Sequence, residues 1–474
     1  MPTATALPDD THLARRSPGS RRVQAITAAA RRAVCADSVA VFRIAFGAIA
    51  ALAALRFLAN GWVEQLYLTP RAHLTYPGFG WVQPLSAPWL HVVAGLVGAA
   101  GVAMALGWRY RIACWVFLAS FTYLELIEAT LYLNHYWFVT LCALVLAMLP
   151  AHHHWSLDAR TGRVQSCALL PAVVVWALRA QVGVVYVFAG LAKLNADWLG
   201  HGLPLRLWLA DRADTWLVGP LLGQEWVAVV ASWGAAAFDC TIVGWLLWRR
   251  SRPWAYTVAV VFHFATGALF AIGVFPLVMA AAALIFFEPD WPRQIGRRRQ
   301  RLFLGGWQQA PGGDVPGQRL APTLSRWTVG ALMALAVIQL VLPLRHLAYP
   351  GDVRWTEEGY WGAWRVMLTD KAAHLEFEVT DPETGHRWMV GPDLVLEDWQ
   401  TERAGGHPDL IVATAHLIED HYRHVGVENV EVRANAWVSM NGRPAQRIID
   451  PTVDLAAQPR TLAPAPWILG PDDW

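Results

Sequence analysis

The feature that most constrains this chain is a series of apolar stretches, each about long enough to cross a bilayer. A helix of roughly 20 apolar residues spans the hydrocarbon core. About nine candidates occur, near 40–59, 88–107, 111–132, 137–150, 171–193, 226–248, 254–270, 273–288 and 325–346. The fourth and eighth are short, and little more than Ile272 and Gly273 joins the seventh to the eighth. Charged residues make up 16% of the chain, against roughly a quarter in soluble domains. The deficit lies before residue 347. The 27 tryptophans suit a protein whose indole rings settle at membrane interfaces. The expected fold is therefore a multi-span α-helical membrane protein of about nine transmembrane helices, followed by a C-terminal α+β, strand-rich domain.

Basic residues orient the spans, because cytoplasmic loops are enriched in Lys and Arg. With the N-terminus inside, the inner segments carry Arg15, Arg16, Arg21, Arg22, Arg31 and Arg32 of the first tail. They also carry Arg109 with Arg111, Arg160 with Arg163, Arg249-Arg250-Ser251-Arg252, and Arg293 with Arg297, Arg298, Arg299 and Arg301. The outer loops keep only Arg71, Arg206 and Arg212. Residues 1–36 are polar and lack a cleavable signal pattern, so they are expected to form a disordered basic inner tail. Residues 37–346 form the membrane domain and 347–474 an outer soluble domain. In that domain Leu375, Phe377 and Val379 alternate as on a strand, Pro382–Gly385 reads as a turn and 409–423 has helical spacing. Val430, Val432, Ala434 and Ala436 alternate again, and Asn441-Gly442 signals a hairpin.

Ionisable residues within spans are functional candidates by default. Lys193 closes the fifth span. One reading is a lysine snorkelling to the interface, with Asp197 as its i+4 partner. The other is a partly desolvated amine that works as a neutral base. By the topology above, Asn134, His135, His263, His346, Glu125 and Glu128 fall at the same outer depth, so a layer of polar groups suggests a site there. His152-His153-His154 lies in an inner loop and is read as structural. The five cysteines show no CxxC or CxxH spacing, which argues against a zinc or thiol redox site. No Walker loop, HExxH or nucleophile elbow occurs, and a net charge of +2 points to no nucleic-acid partner.

Around Lys193, Ala192-Lys193-Leu194-Asn195-Ala196-Asp197-Trp198 resembles the Lys-Lys-Leu-Asp-Ala-Asp-Trp segment of vitamin K-dependent γ-glutamyl carboxylases. The resemblance extends over Phe42-Arg43-Ile44, Tyr110-Arg111-Ile112, Leu178-Arg179 with Gln181, Asn134-His135, Phe262-His263 and Trp291-Pro292-Arg293. In the last third it covers Trp437-Val438-Ser439 with Asn441, and Gln446-Arg447-Ile448 followed by Asp450-Pro451. The first two-thirds resembles the bacterial HTTM membrane domain.

The resemblance implies an enzyme, a carbon–carbon lyase in class, that couples oxidation of a reduced vitamin K-type quinol (phylloquinol or menaquinol) to its epoxide with carboxylation of glutamate side chains. O2 and CO2 are co-substrates, and no metal is implied. It implies Lys193 as the base toward the quinol, His135 beside it, and His263, His346 and Asn134 as cofactor contacts. Tyr360 would touch the glutamate substrate, and Asp197 and Arg179 would support the site. The implied partners are the lipid bilayer and a glutamate-containing peptide or protein. The arginine- and alanine-rich composition points to a bacterial inner membrane. This sequence departs from the animal enzymes at Ala192, Asn195, Glu357 and Glu358, the last two placing acids beside the region that receives an acidic side chain. Two other readings remain: a quinol epoxidase or oxygenase with a different acceptor, and a non-catalytic transporter or receptor. A transporter would favour internal repeats with broken helices, and no repeat is seen.

Overall fold

The structure is a computed structural model and describes residues 18–216, 218–270, 272–296 and 323–471. Arg15, Arg16, Arg297, Arg298, Arg299 and Arg301 lie outside the described residues. The tail expected to be disordered is helical from Pro18 to Arg31 (α1). Proline at its start and the alanines at 25 and 28–30 favour that state. The next residues form β1 (Ala33–Cys35), which pairs antiparallel with a later strand, Leu169–Pro171.

All nine apolar stretches are helical. In order they contain α2 (Asp37–Ala59), α3 (Ala87–Leu106), α4 (Tyr110–Ile127) and α5 (Asn134–Met148). After β2 (Leu169–Pro171) comes α6 (Ala172–Ala192), and then a short α7 (Ala196–His201). The rest are α8 (Glu225–Leu247), α9 (Arg252–Leu269), α10 (Phe275–Ala283) and α11 (Arg326–Val341). Among the described residues, six of these stretches are long and apolar enough to cross a membrane, α11 together with the turn that follows it to Ala348. The α5 and α10 segments are shorter, and α9 is diluted by Arg252 and His263. The third stretch ends five residues before the expected 132, because Glu128 turns extended and its side chain caps the next turn.

Small residues let the helices approach. A methyl group on Gly47 would lie 2.5 Å from the Gly101 carbonyl oxygen, so α2 and α3 touch backbone to backbone. Outward faces stay apolar, with Trp89, Trp115, Trp233 and Trp254 exposed, as lipid contact requires.

The soluble domain holds β3 (Lys371–Thr380), β4 (Arg387–Val390), α12 (Asp398–Ala404), α13 (Pro408–His424), β5 (Glu431–Met440) and β6 (Gln446–Arg447). The antiparallel sheet runs β4-β3-β5-β6, with Phe377 opposite Ala434 and Val379 opposite Val432. Every second β5 residue is buried, and these residues pack with Leu410, Ile411 and Ile418 of α13. The hairpin turn sits where expected: Asn441 and Gly442 have φ of 55° and 74°. Gly385 closes the β3–β4 turn at φ 71°.

The domain is bolted to the bundle. Gln400 Nε2 donates to Glu128 Oε2 at 2.7 Å and to the Ala72 carbonyl at 3.0 Å. Arg460 donates to the Thr75 carbonyl at 2.7 Å.

Candidate active site

Lys193 terminates α6 as its C-cap. It is 6% exposed. Its Nζ donates to Asp239 Oδ2 at 2.9 Å and to the Ala189 carbonyl at 3.3 Å, and lies 5.3 Å from the Trp198 ring centroid, close enough for a cation–π attraction. Asp239 stands in the middle of α8 and was not singled out from the sequence. An acid inside a span was the available signal, but its partner lies 46 residues away in the chain. Gly190 makes the pairing possible. A Cβ there would sit 2.7 Å from the Cys240 nitrogen, so only glycine allows α6 and α8 this close at Asp239.

The Lys193–Asp197 pair of the snorkelling reading does not form. Helical i,i+4 geometry needs an unbroken helix, and Asn195 is extended at φ −141° between α6 and α7, where it caps α7. Asp197 instead receives Asn441 Nδ2 at 2.9 Å, Arg443 through two nitrogens, and Arg354 at 3.2 Å. Burial alone would raise its carboxyl; the hydrogen bonds of Arg443 and Asn441 and the charges of Arg354 and Arg443 outweigh this and hold it below the ordinary range. Asp197 thus clamps the soluble domain onto the end of α6.

Lys193 faces a cavity of about 760 Å³ between the bundle and the soluble domain. On the bundle side lie Asp239, His263, Phe262, Phe275 and Met279; on the soluble-domain side lie Arg354, Glu357, Tyr360, Arg365 and Arg403. Of the residues expected at the site, Lys193, His135, His263, Asn134 and Tyr360 line this one cavity. His263 is fixed by Tyr186, whose hydroxyl is 2.6 Å from Nε2, while its buried Nδ1 has no hydrogen-bond partner among the described residues. Tyr186 sits on α6 two turns before Lys193, and the sequence reading assigned it no role. His135 opens α5, with its ring 5.3 Å from that of Phe275. Asn134 is engaged on both sides: it donates to the Arg365 carbonyl at 3.3 Å and accepts from Tyr132 at 3.2 Å. It therefore holds the Arg365 loop as well as lining the cavity.

Four expected residues lie away from this cavity. His346 is half-buried, with Nδ1 2.8 Å from the Pro343 carbonyl, and packs against Gly359, where a Cβ would lie 2.8 Å from its Cα. It supports the Tyr360 segment from behind and is absent from the lining. Arg179 donates to the carbonyls of Ile285, Phe286 and Phe287 at 3.0–3.2 Å. It lies fourteen residues before Lys193, about 21 Å along the helix. Glu128 is consumed by Thr130, His73 and Gln400. Glu125 lines a second cavity of about 510 Å³, together with Arg56, Tyr136 and His135.

The histidine tract lies at the opposite end of α6, near β1 and β2. His154 pairs with Asp37 at 2.8 Å, and His153 with the Gln165 carbonyl at 2.9 Å. His152 stacks on Tyr110. Each thus has its own packing role, as the structural reading expected.

These features define a multi-span helical protein with an ion-paired lysine in a cavity roofed by a sheet domain. Two families match. Residues 31–291 match the HTTM domain, and residues 324–473 match the vitamin K-dependent gamma-carboxylase, lumenal domain. The chain belongs to the vitamin K-dependent gamma-carboxylase family. No solved structure matches it.

Proposed function

We propose that this chain is a quinol-dependent carboxylase that modifies glutamate side chains, with Lys193 as the base. The observation that carries this reading is the buried Lys193 amine. It is tied to one carboxylate and one carbonyl and lies on the wall of a largely apolar cavity.

The cavity fits an aromatic quinol. Phe262, Phe275, Leu269 and Met279 supply apolar walls, and the unpartnered His263 Nδ1 is a polar contact held in place by Tyr186. When bound, a reduced vitamin K-type quinol supplies an acidic hydroxyl and, with O2, the driving force for removing a glutamate γ-proton that no side chain removes near neutral pH. Asp239 can take one proton from the Lys193 ammonium, leaving Nζ neutral and able to accept a proton. His263 and His135 line the same space and would orient the quinol ring. The soluble domain closes the cavity from above, which limits water at the reacting centre. Tyr360 and the neighbouring arginines stand where a peptide side chain would enter.

In this reading residues 37–346 form the membrane domain, and residues 347–474 the outer domain. The basic loops support an inside N-terminus and a soluble domain facing the periplasm of a bacterial inner membrane. Membranes bearing the protein, given reduced vitamin K, O2, labelled CO2 and a glutamate peptide, should yield epoxide and labelled peptide, and Lys193→Ala should yield neither. Epoxide without labelled peptide would sink the carboxylase reading and leave an oxygenase. Undiminished epoxide from Lys193→Ala would remove Lys193 from the mechanism.

A further inference from the structure

We propose that Arg365 and Arg403, which line the same cavity as Tyr360, form an anion subsite that selects an acidic side chain and grips its carboxylate. The inference rests on the carboxylase reading and names the groups that recognise its substrate.

A charge inventory of the cavity isolates the two arginines. Lys193 is paired with Asp239. Arg354 is paired with both Asp352 and Asp197. Glu357 is paired with Lys371 at 2.6 Å, and Lys371 is held by the carbonyls of Trp355 and Gly406 at 2.9 and 3.1 Å. The acid that would repel an incoming carboxylate is thus neutralised within the wall. Arg365 and Arg403 remain. Among the described residues neither guanidinium donates a hydrogen bond or joins an ion pair, and both charges act on the Tyr360 phenol. Arg365 is half-buried and Arg403 exposed. Asp352 and Glu357 act on Arg365 through space without bonding it, and a half-buried guanidinium with no bonded anion is costly. Its planar fork is suited to bidentate capture of a carboxylate.

Both arginines are held by the bundle. Asn134 ties the Arg365 backbone, and Gln400 on Glu128 anchors α12, which carries Arg403. Two cations also match the reaction's charge change. A glutamate side chain carries one negative charge; loss of its γ-proton and bonding of that carbon to CO2 leaves a dicarboxylate with two. The subsite therefore suits the product at least as well as the substrate.

The test uses the full chain in lipid nanodiscs and a fluorescent peptide containing one glutamate, beside the same peptide with glutamine. Without quinol, the wild type should bind the glutamate peptide about tenfold more tightly. Arg365→Gln and Arg403→Gln should each bring that ratio toward one, and Arg365→Lys should restore part of it. In turnover, the arginine variants should raise the peptide KM while leaving the quinol KM of epoxide formation unchanged. Equal binding of both peptides by the wild type, or an unchanged ratio in both glutamine variants, would overturn the subsite. Should Arg365→Gln lose its thermal unfolding transition, Arg403→Gln, at an exposed position, carries the test. Glutamate-selective binding without labelled product would sink the carboxylase reading alone; labelled product with a binding ratio of one would sink the subsite alone.

Discussion

Two lysines with buried amines lie close to this molecule's central cavity, Lys193 in its wall and Lys371 behind the wall residue Glu357, and they are finished differently. In the soluble domain, Lys371 makes three short contacts, to Glu357 and to the carbonyls of Trp355 and Gly406. An ammonium has three protons to donate, so Lys371 is saturated. Burial pulls its pKa down, against the opposing charge of Glu357. In the bundle, Lys193 has two hydrogen bonds, one of them a long 3.3 Å to Ala189, and it faces the cavity. A saturated lysine is a strut. An unsaturated one beside a cavity can exchange a proton with what enters.

The largest difference should appear on deletion. Lys193→Ala should lower epoxide formation per folded molecule by about 10²–10⁴-fold, the range for a lost general base. Each lysine deletion strands a buried carboxylate, Asp239 or Glu357, so each should also cost about 3–5 kcal/mol of stability. Lys371→Met should differ in activity: at saturating peptide its folded fraction turns over close to wild type, while the unpaired Glu357 raises the peptide KM. Equal activity losses from the two variants, measured per folded molecule, would erase the distinction.

The carboxylates paired with Lys193 and with the domain clamp give the next test. Asp239→Asn keeps an acceptor near Lys193 but removes the group that can take its proton. Epoxide formation should fall by about 10²-fold, and its pH–rate profile should shift. Asp197→Asn weakens the clamp through Arg443 and Arg354, so its effect should be a lower unfolding midpoint with an unshifted pH–rate profile. A shifted profile in Asp197→Asn and not in Asp239→Asn would return Asp197 to the role the sequence suggested. Gly190→Ala tests the same contact through packing. Its new methyl group meets the Cys240 backbone and Sγ at 2.7 and 2.8 Å, an overpacking of about 1–3 kcal/mol. By pushing α8 away it should reproduce part of the Asp239→Asn activity loss.

The contrast also explains what could be read in advance. The nine apolar stretches were legible because lipid demands continuous hydropathy, and Asn441-Gly442 because a tight turn demands positive φ. Lys193 was legible because a charge at a span end is conspicuous and its segment resembles a known family. Its partner was not. Chain proximity pointed to Asp197, but Asn195 breaks the helix between them, and Asp239 reaches Lys193 only through the close approach that Gly190 permits. The free arginines were hidden for a related reason. Neither residue type nor spacing tells a guanidinium that has found its carboxylate, such as Arg354, from one that has not, such as Arg365. His346 was placed too close because residues at one depth in the membrane need not face one cavity.

The smallest expected effect belongs to His407, beside the saturated lysine. Its ring stacks on Trp361, and its buried Nδ1 lacks a hydrogen bond, with Glu357 Oε2 3.9 Å away. Burial lowers its pKa, the charge of Glu357 opposes this, and those of Lys371 and Arg403 add to it. The unfolded chain therefore takes up a proton near the ordinary histidine value of about 6.5 while the folded protein still resists. Stability should fall as pH drops from there toward the lower folded value, since the unfolded state binds more protons in that window. Asp197 contributes separately, below its ordinary carboxylate range, where its depressed folded pKa makes acid destabilising in the same direction. His407→Gln should reduce the first slope, read from unfolding midpoints between about pH 5 and 7, and leave the second untouched. A slope unchanged in His407→Gln would mean that other histidines whose pKa burial lowers, such as His153 in the loop after α5, carry the acid response.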